Sequence, residues 1–216
     1  MRTAFHDQLD SVFDDLADIC DQVRTAVRIA TDALLTGRAD LAERAISGDA
    51  AIDAARERVE DNALAILSLQ APVAGDLRVV VAALRMVSDL ERMGDLSVHV
   101  AKIARLRTPH IAVPAQCAPI IGRMAEIAES MVARTADVIR ERDVDAAAEL
   151  RADDEEMDKL RRASFAEMLG SEWTSGIEAA VDIALLGRYY ERIADHAVSV
   201  AGRVVFVVTG EQPTVA

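Results

Sequence analysis

The sequence predicts an all-α protein built as two tandem three-helix bundles, six long antiparallel helices related by pseudo-two-fold symmetry. Three observations carry that expectation. Hydrophobic residues make up 51% of the 216-residue chain, with 3% aromatics and 28% charged residues, a mixture rich in Ala, Leu, Arg, Glu and Asp that suits helices rather than strands. Helical periodicity covers nearly the whole chain and breaks it into six segments. The pattern Glu-Arg-x-x-Asp occurs twice, 100 positions apart, as Glu91-Arg92-Met93-Gly94-Asp95 and Glu191-Arg192-Ile193-Ala194-Asp195. Each copy continues with similar residues, which marks an internal duplication.

The first helix is expected from about Ala4 to Leu35, with Leu9, Val12, Phe13, Leu16, Ile19, Val23, Val27 and Leu34 on its apolar face and a break at Thr36-Gly37. The second runs from Ala39 to Leu69 and breaks at Pro72 and Gly75. The third starts near Asp76 and ends before Pro109. The Pro109–Pro119 stretch, with Pro114 inside it, reads as the linker. The fourth helix spans about Ile120–Arg140, with a weak break at Arg142-Asp143, and the fifth runs from Val144 to Leu169, where Gly170 stops it. The sixth covers about Ile177–Val208, closed by Gly210 and Pro213.

Helices of this length reach roughly 40–50 Å at 1.5 Å per residue. Short connections make successive helices antiparallel neighbours. The expected division is a first repeat at 1–108, a linker at 109–118 and a second repeat at 119–216, placed side by side or end to end. The duplication extends to the second helix of each half. Asp49, Ile52, Asp53 and Arg56 match Asp154, Met157, Asp158 and Arg161 at an offset of 105, so the turn before the last helix is expected to be five residues shorter in the second half.

The formal net charge is −13. Nucleic acid is an unfavourable partner for such a chain, because binding it requires a cationic face. The N-terminal residues Met1–Asp7 contain no apolar signal core, and no apolar run reaches the ~18–20 residues of a membrane span. A cytoplasmic protein without membrane insertion is expected. Cys20 and Cys117 form no ligand-spaced pair and read as buried, reduced thiols. The chain has no Gly-rich phosphate loop, nucleophile elbow or Glu-x-x-His pattern, so no enzyme is expected.

Each half carries two acidic i, i+4 pairs on its last two helices: Asp49/Asp53 with Glu91/Asp95, and Asp154/Asp158 with Glu191/Asp195. Carboxylates about 6 Å apart on one face repel each other. Four of them facing one another make a hard oxygen cage suited to Mg, Mn, Ca or Fe. Ion pairing is the other reading, because Arg56, Arg85, Arg92, Arg161, Arg188 and Arg192 lie close in sequence. The stripe Leu77, Val80, Leu84, Val87 leads on to Glu91 and Gly94 and places Glu91 at the margin of a buried face. Gly94 and Ala194 are small enough to admit another helix or an ion. His99 reads as a surface residue, and His196, turned about 100° from Asp195, reads as a hydrogen-bonding group. Glu178/Asp182 is a further acidic pair without a counterpart in the first half, where Arg78 and Ala82 stand.

These features resemble the PhoU family of bacterial phosphate-uptake regulators. The carriers are Asp76-Leu77-Arg78, the phrase Asp89-Leu90-Glu91-Arg92-Met93-Gly94-Asp95, its second version Tyr190–His196, and Thr209-Gly210. The second half departs from the pattern by opening its last helix with Ser175-Gly176-Ile177-Glu178. The resemblance implies two three-helix bundles in a cytoplasmic protein, often a homodimer. It implies a negative regulator of the phosphate-starvation response, acting as an adaptor between the phosphate ABC importer, through its ATPase subunit, and the sensor histidine kinase. Some members of the family hold iron or other metals through the acidic motifs. Carried onto this chain, the ligands would be Asp49, Asp53, Glu91 and Asp95, and Asp154, Asp158, Glu191 and Asp195, with divalent or ferric ions (Fe, Mn, Mg or Zn) as the candidate cofactors. The rival readings are a metal-dependent hydrolase on a carboxylate site and a metal-free helical interaction module.

Overall fold

The computed structural model describes residues 2–211, with side chains from Phe5 onward. Six helices follow one another: α1 (Arg2–Thr36), α2 (Ala39–Gln70), α3 (Ala74–Arg107), α4 (Ala118–Glu141), α5 (Val144–Leu169) and α6 (Gly176–Thr209). Pro213, expected to help close the last helix, lies outside the described residues.

Local chemistry sets the boundaries. Gly37 and Gly210 take left-handed backbone, φ 68° and 81°, and their amides bond back to Ala33 O and Phe206 O, as helix C-termini commonly do. Ala71 and Arg142 adopt the same region at the ends of α2 and α4. The weak break at Arg142-Asp143 is therefore a real one, and it is reinforced by Asp143, whose carboxylate accepts from the amides of Asp145 and Ala146 at 2.9 and 3.0 Å. Pro119 sits in the first turn of α4, where its missing N–H is not needed. The fourth helix thus starts at Ala118, two residues earlier than expected. Gly75 does not break the chain either; it lies in the first turn of α3, which begins at Ala74.

Within each repeat the three helices pack on one another, and the repeats join side by side. α1 lies against α4 and α3 against α6, while α2 and α5 flank the pair on opposite sides. One hydrophobic core runs through both repeats, with Leu16, Ile19, Met86, Met93, Met131 and Ile139 fully buried. Both cysteines are buried and free. No described helix is long and apolar enough to cross a membrane.

The α3–α6 seam shows the pseudo-two-fold relation in detail. Arg107 of α3 forks onto Asp182 and Glu178 of α6. At the equivalent place 100 residues away, Arg78 of α3 donates to the carbonyl of Val207 on α6 at 3.0 Å. Asp89 accepts from His196, Ser199 and Arg203, and the mirrored position holds His99 stacked on Tyr189 with ring centroids 5.3 Å apart. Glu178 and Asp182, the unduplicated acidic pair, therefore bind the repeats to each other. The seam also accounts for the departure from Asp-Leu-Arg at the start of α6, since Glu178 meets an arginine at 107 where Arg78 meets a carbonyl.

Candidate functional site

The acidic pairs lie on α2 and α3 in the first repeat and on α5 and α6 in the second. What brings α2 close to α3 is Gly94. A methyl group there would stand 3.1 Å from Ile52 Cδ1 and 3.6 Å from an Asp49 carboxylate oxygen. The small residue thus admits a neighbouring helix, and that helix delivers Asp49 to the same patch as Asp95. In the second repeat Ala194 and Met157 are both buried at the matching positions.

The charges confirm that each set of four is one electrostatic neighbourhood. Asp49 is raised above the usual carboxylate range, chiefly by burial and then by Asp53 and Asp95, while Lys102 and His99 pull it down. Glu91 is raised by burial and by Asp95, against Arg92 and Arg56. Asp154 goes further, to about 6, from burial and then Asp195, Asp158, Glu191 and Glu155. Asp195 stands more open, yet the surrounding bundle and then Glu191 raise it as well. Crowding lifts a carboxylate in this way because each ionised group disfavours ionisation of the next.

The two clusters differ in how arginine offsets them. Glu191 is buried and receives both Arg161, at 3.3 Å, and Arg188. Glu91 pairs with Arg92 at 3.8 Å, which is shared with Asp95 at 3.1 Å, and feels Arg56 from farther off. The reason is in the sequence: Ser88 stands where Arg188 would match, and Arg56, the counterpart of Arg161, turns to Glu60 at 2.8 Å. In the second cluster the least compensated carboxylate is Asp154, since Arg188, His196 and Arg192 act on Asp195. Asp158 faces Arg162 at 3.8 Å.

The donor set fits a hard cation: each cluster offers four carboxylates and no thiol. As the side chains stand, no three His, Cys, Asp or Glu groups among the described residues converge closely enough to hold an ion. The eight acidic residues therefore form two repulsive patches rather than two closed cages. His196 Nδ1 donates to the Asp89 carboxylate at 2.9 Å across the seam, as its orientation suggested. His99 is exposed and stacks on Tyr189. Asp89, Arg107 and Arg203 were not singled out by the sequence as seam residues. The 100-residue offset could have located them only with knowledge that α3 packs on α6.

A family model described as "PhoU domain" matches the chain twice, over residues 16–104 and 121–204. The chain is 44% identical over 213 residues to the "Phosphate-specific transport system accessory protein PhoU homolog 2" of Mycobacterium tuberculosis (strain ATCC 25618 / H37Rv), covering 99% of this chain and 100% of the relative. It is 32% identical to the PhoU homolog of Deinococcus radiodurans, over 98% of this chain and 100% of that protein. Among solved structures it is similar to PhoU from Pseudomonas aeruginosa, with TM-score 0.84 and 25% identity over 96% of this chain and 100% of the other. The regulatory protein PhoU from Streptococcus pneumoniae shares the fold, with TM-score 0.88 and 24% identity over 98% and 100%. With its two matched repeats and full-length relatives, the chain belongs to the PhoU family.

Proposed function

We propose that this protein regulates phosphate uptake and restrains the phosphate-starvation response as a non-catalytic adaptor between the phosphate ABC importer's ATPase subunit and its sensor histidine kinase. The observation that carries this reading is full-length similarity to proteins named as phosphate-specific transport system accessory proteins. The structure is compatible with an adaptor: long helices expose broad faces, and the chemistry is concentrated on two charged surfaces. An adaptor works by shifting its partners' equilibria, so it must bind one state of each partner better than the other. We assign it to the cytoplasm and to a homodimer.

We further propose that divalent or ferric ions bind the two carboxylate patches, with Asp49, Asp53, Glu91 and Asp95 holding one group and Asp154, Asp158, Glu191 and Asp195 the other. A bound ion would supply the positive charge that these clusters lack. This chain's own contribution is to bring the carboxylates of two helices within mutual repulsion, with α2 drawn onto α3 at Gly94.

Two experiments test these readings. Affinity capture with the importer's ATPase subunit and with the sensor kinase, at high and low phosphate, should retain the chain in a phosphate-dependent manner; no capture in either state sinks the adaptor reading. Elemental analysis of protein purified without chelator should show metal that Glu91→Ala with Asp95→Ala removes from the first cluster. Full stoichiometry in that variant would exclude those ligands. Sustained phosphatase turnover with added Mn or Mg would favour the hydrolase reading instead.

A further inference from the structure

Each repeat exposes large apolar side chains at the same three places. Leu64 and Leu169 are related by the offset of α2 to α5, and Leu77 with Ile177 and Val81 with Val181 by the offset of α3 to α6. All six are exposed, Leu169 and Ile177 by 83% and 84%. Leu77, Val81, Ile177 and Val181 stand in the first turns of α3 and α6, Leu169 ends α5, and Leu64 lies six residues before the end of α2, with Leu69 and Val73 exposed between it and α3. A single exposed leucine needs no explanation, but a cluster kept open twice at equivalent positions marks an interaction surface.

The surroundings say what kind of partner fits. Along the same two helices, about ten residues beyond Val81, or roughly 15 Å, stand Glu91 and the rest of the first acidic patch. The second repeat repeats the order, from Val181 to Glu191. An apolar end followed by an anionic stretch is complementary to a helix with leucine-like side chains on one face and Lys or Arg farther along it. An anionic lipid surface is disfavoured by the net charge of −13.

We propose that the outer edge of each α2–α3 and α5–α6 hairpin is a docking surface for an amphipathic basic helix of a partner protein. It gives the adaptor reading a physical contact, and for its biological use it rests on that reading. The two sites differ in balance. The first is the more acidic, because Ser88 gives Glu91 no counterpart to the Arg188 that pairs with Glu191. In exposed apolar side chains they match, with Leu69 and Val73 adding to the first cluster and Phe165 and Leu185 to the second.

The test uses the full chain with a fluorescent 18-residue helix bearing Leu on one face and Lys on the other, and its counterpart with Glu in place of Lys. Anisotropy titration should show two equivalents of the Leu/Lys helix bound and none of the Leu/Glu helix. Leu169→Ser with Ile177→Ser should remove one equivalent or weaken it by at least about tenfold, and Leu64→Ser with Leu77→Ser the other. All four side chains are exposed, so the variants should keep the wild-type circular dichroism and melting temperature. Unchanged affinity in both variants would overturn the proposal, as would equal binding of the Leu/Glu helix. So would binding of anionic vesicles in place of the peptide, or self-association that the serine variants abolish without any peptide binding. Capture of the ATPase subunit or kinase with no peptide binding leaves the adaptor reading standing and removes only this surface; peptide binding with no capture does the reverse.

Discussion

Arg107 on α3 and Asp182 on α6 form a two-pronged contact between the repeats, with Nε 2.6 Å from Oδ2 and Nη2 3.1 Å from Oδ1. Asp182 is almost fully buried and Glu178 flanks the same guanidinium. Burying a carboxylate is tolerated only while its partner is in place, and removing one member leaves the other uncompensated. Arg107→Ala should therefore lower the melting temperature by several degrees. Arg107→Met with Asp182→Leu should recover most of that loss, because an apolar pair leaves no orphaned charge. Differential scanning calorimetry of the two variants distinguishes a charge effect from simple loss of packing.

The α2–α3 contact at Gly94 gives a steric prediction. Ile52 Cδ1 and Cγ2 lie 3.1 and 3.3 Å from the point a Cβ would occupy. Gly94→Val should overpack this contact and cost about 1–3 kcal/mol in urea denaturation. Gly48, inside α2 with nothing within 4 Å of its would-be Cβ, is the control. Gly48→Ala should stabilise by about 0.5–1 kcal/mol, because alanine has less chain entropy to lose and a better helix propensity.

Asp154 sets a pH dependence. Its folded pKa is raised to about 6 from an ordinary 3.8, by burial and then by Asp195, Asp158 and Glu191. Between those values the folded chain holds more protons than the unfolded one, so this group's contribution to stability falls as pH rises from about 4 to about 6 and stays low above that. Asp154→Asn should stabilise the protein at pH 7 by about 1–2 kcal/mol, allowing for solvent screening of a partly open group. At pH 4 it should do little. Chemical denaturation at the two pH values measures the difference, and a variant equally stable relative to wild type at both would contradict it.

The unequal arginine pairing predicts unequal metal affinity. Ser88 leaves Glu91 without the partner that Arg188 gives Glu191. Ser88→Arg should add a positive charge beside the first cluster and weaken Mn binding there by about 1 kcal/mol, or roughly fivefold, at surface dielectric. Arg188→Ser should strengthen binding in the second cluster by a similar factor. Isothermal titration of metal-stripped protein reads both, and identical isotherms for all three proteins would show that the arginines do not compete with metal.

The sequence by itself determined the secondary structure and the duplication, because both are local. Apolar spacing fixes which residues can share a helix face, and Gly37, Gly210 and the prolines fix where a helix ends. It placed the helix boundaries within two residues, starting α3 and α4 late because Gly75 and Pro119 are tolerated in first turns. It misplaced the five-residue difference between the repeats, since the turn before α6 (170–175) is longer than that before α3 (71–73) and it is helix α5 that is shortened. It also matched each acid of one half to a counterpart in the other, for which two offsets, 105 and 100, are enough. Only the tertiary structure decided how the repeats join, because that depends on the α1–α4 and α3–α6 contacts between residues far apart in the chain. The same contacts turned Glu178 and Asp182 from a candidate acidic site into a seam clamp and gave His196 its partner in Asp89. They also separated two clusters that read as equals in sequence. Which guanidinium reaches which carboxylate depends on side-chain direction across a packed interface, and Arg56 and Arg161, matched residues in matched helices, reach for different acids.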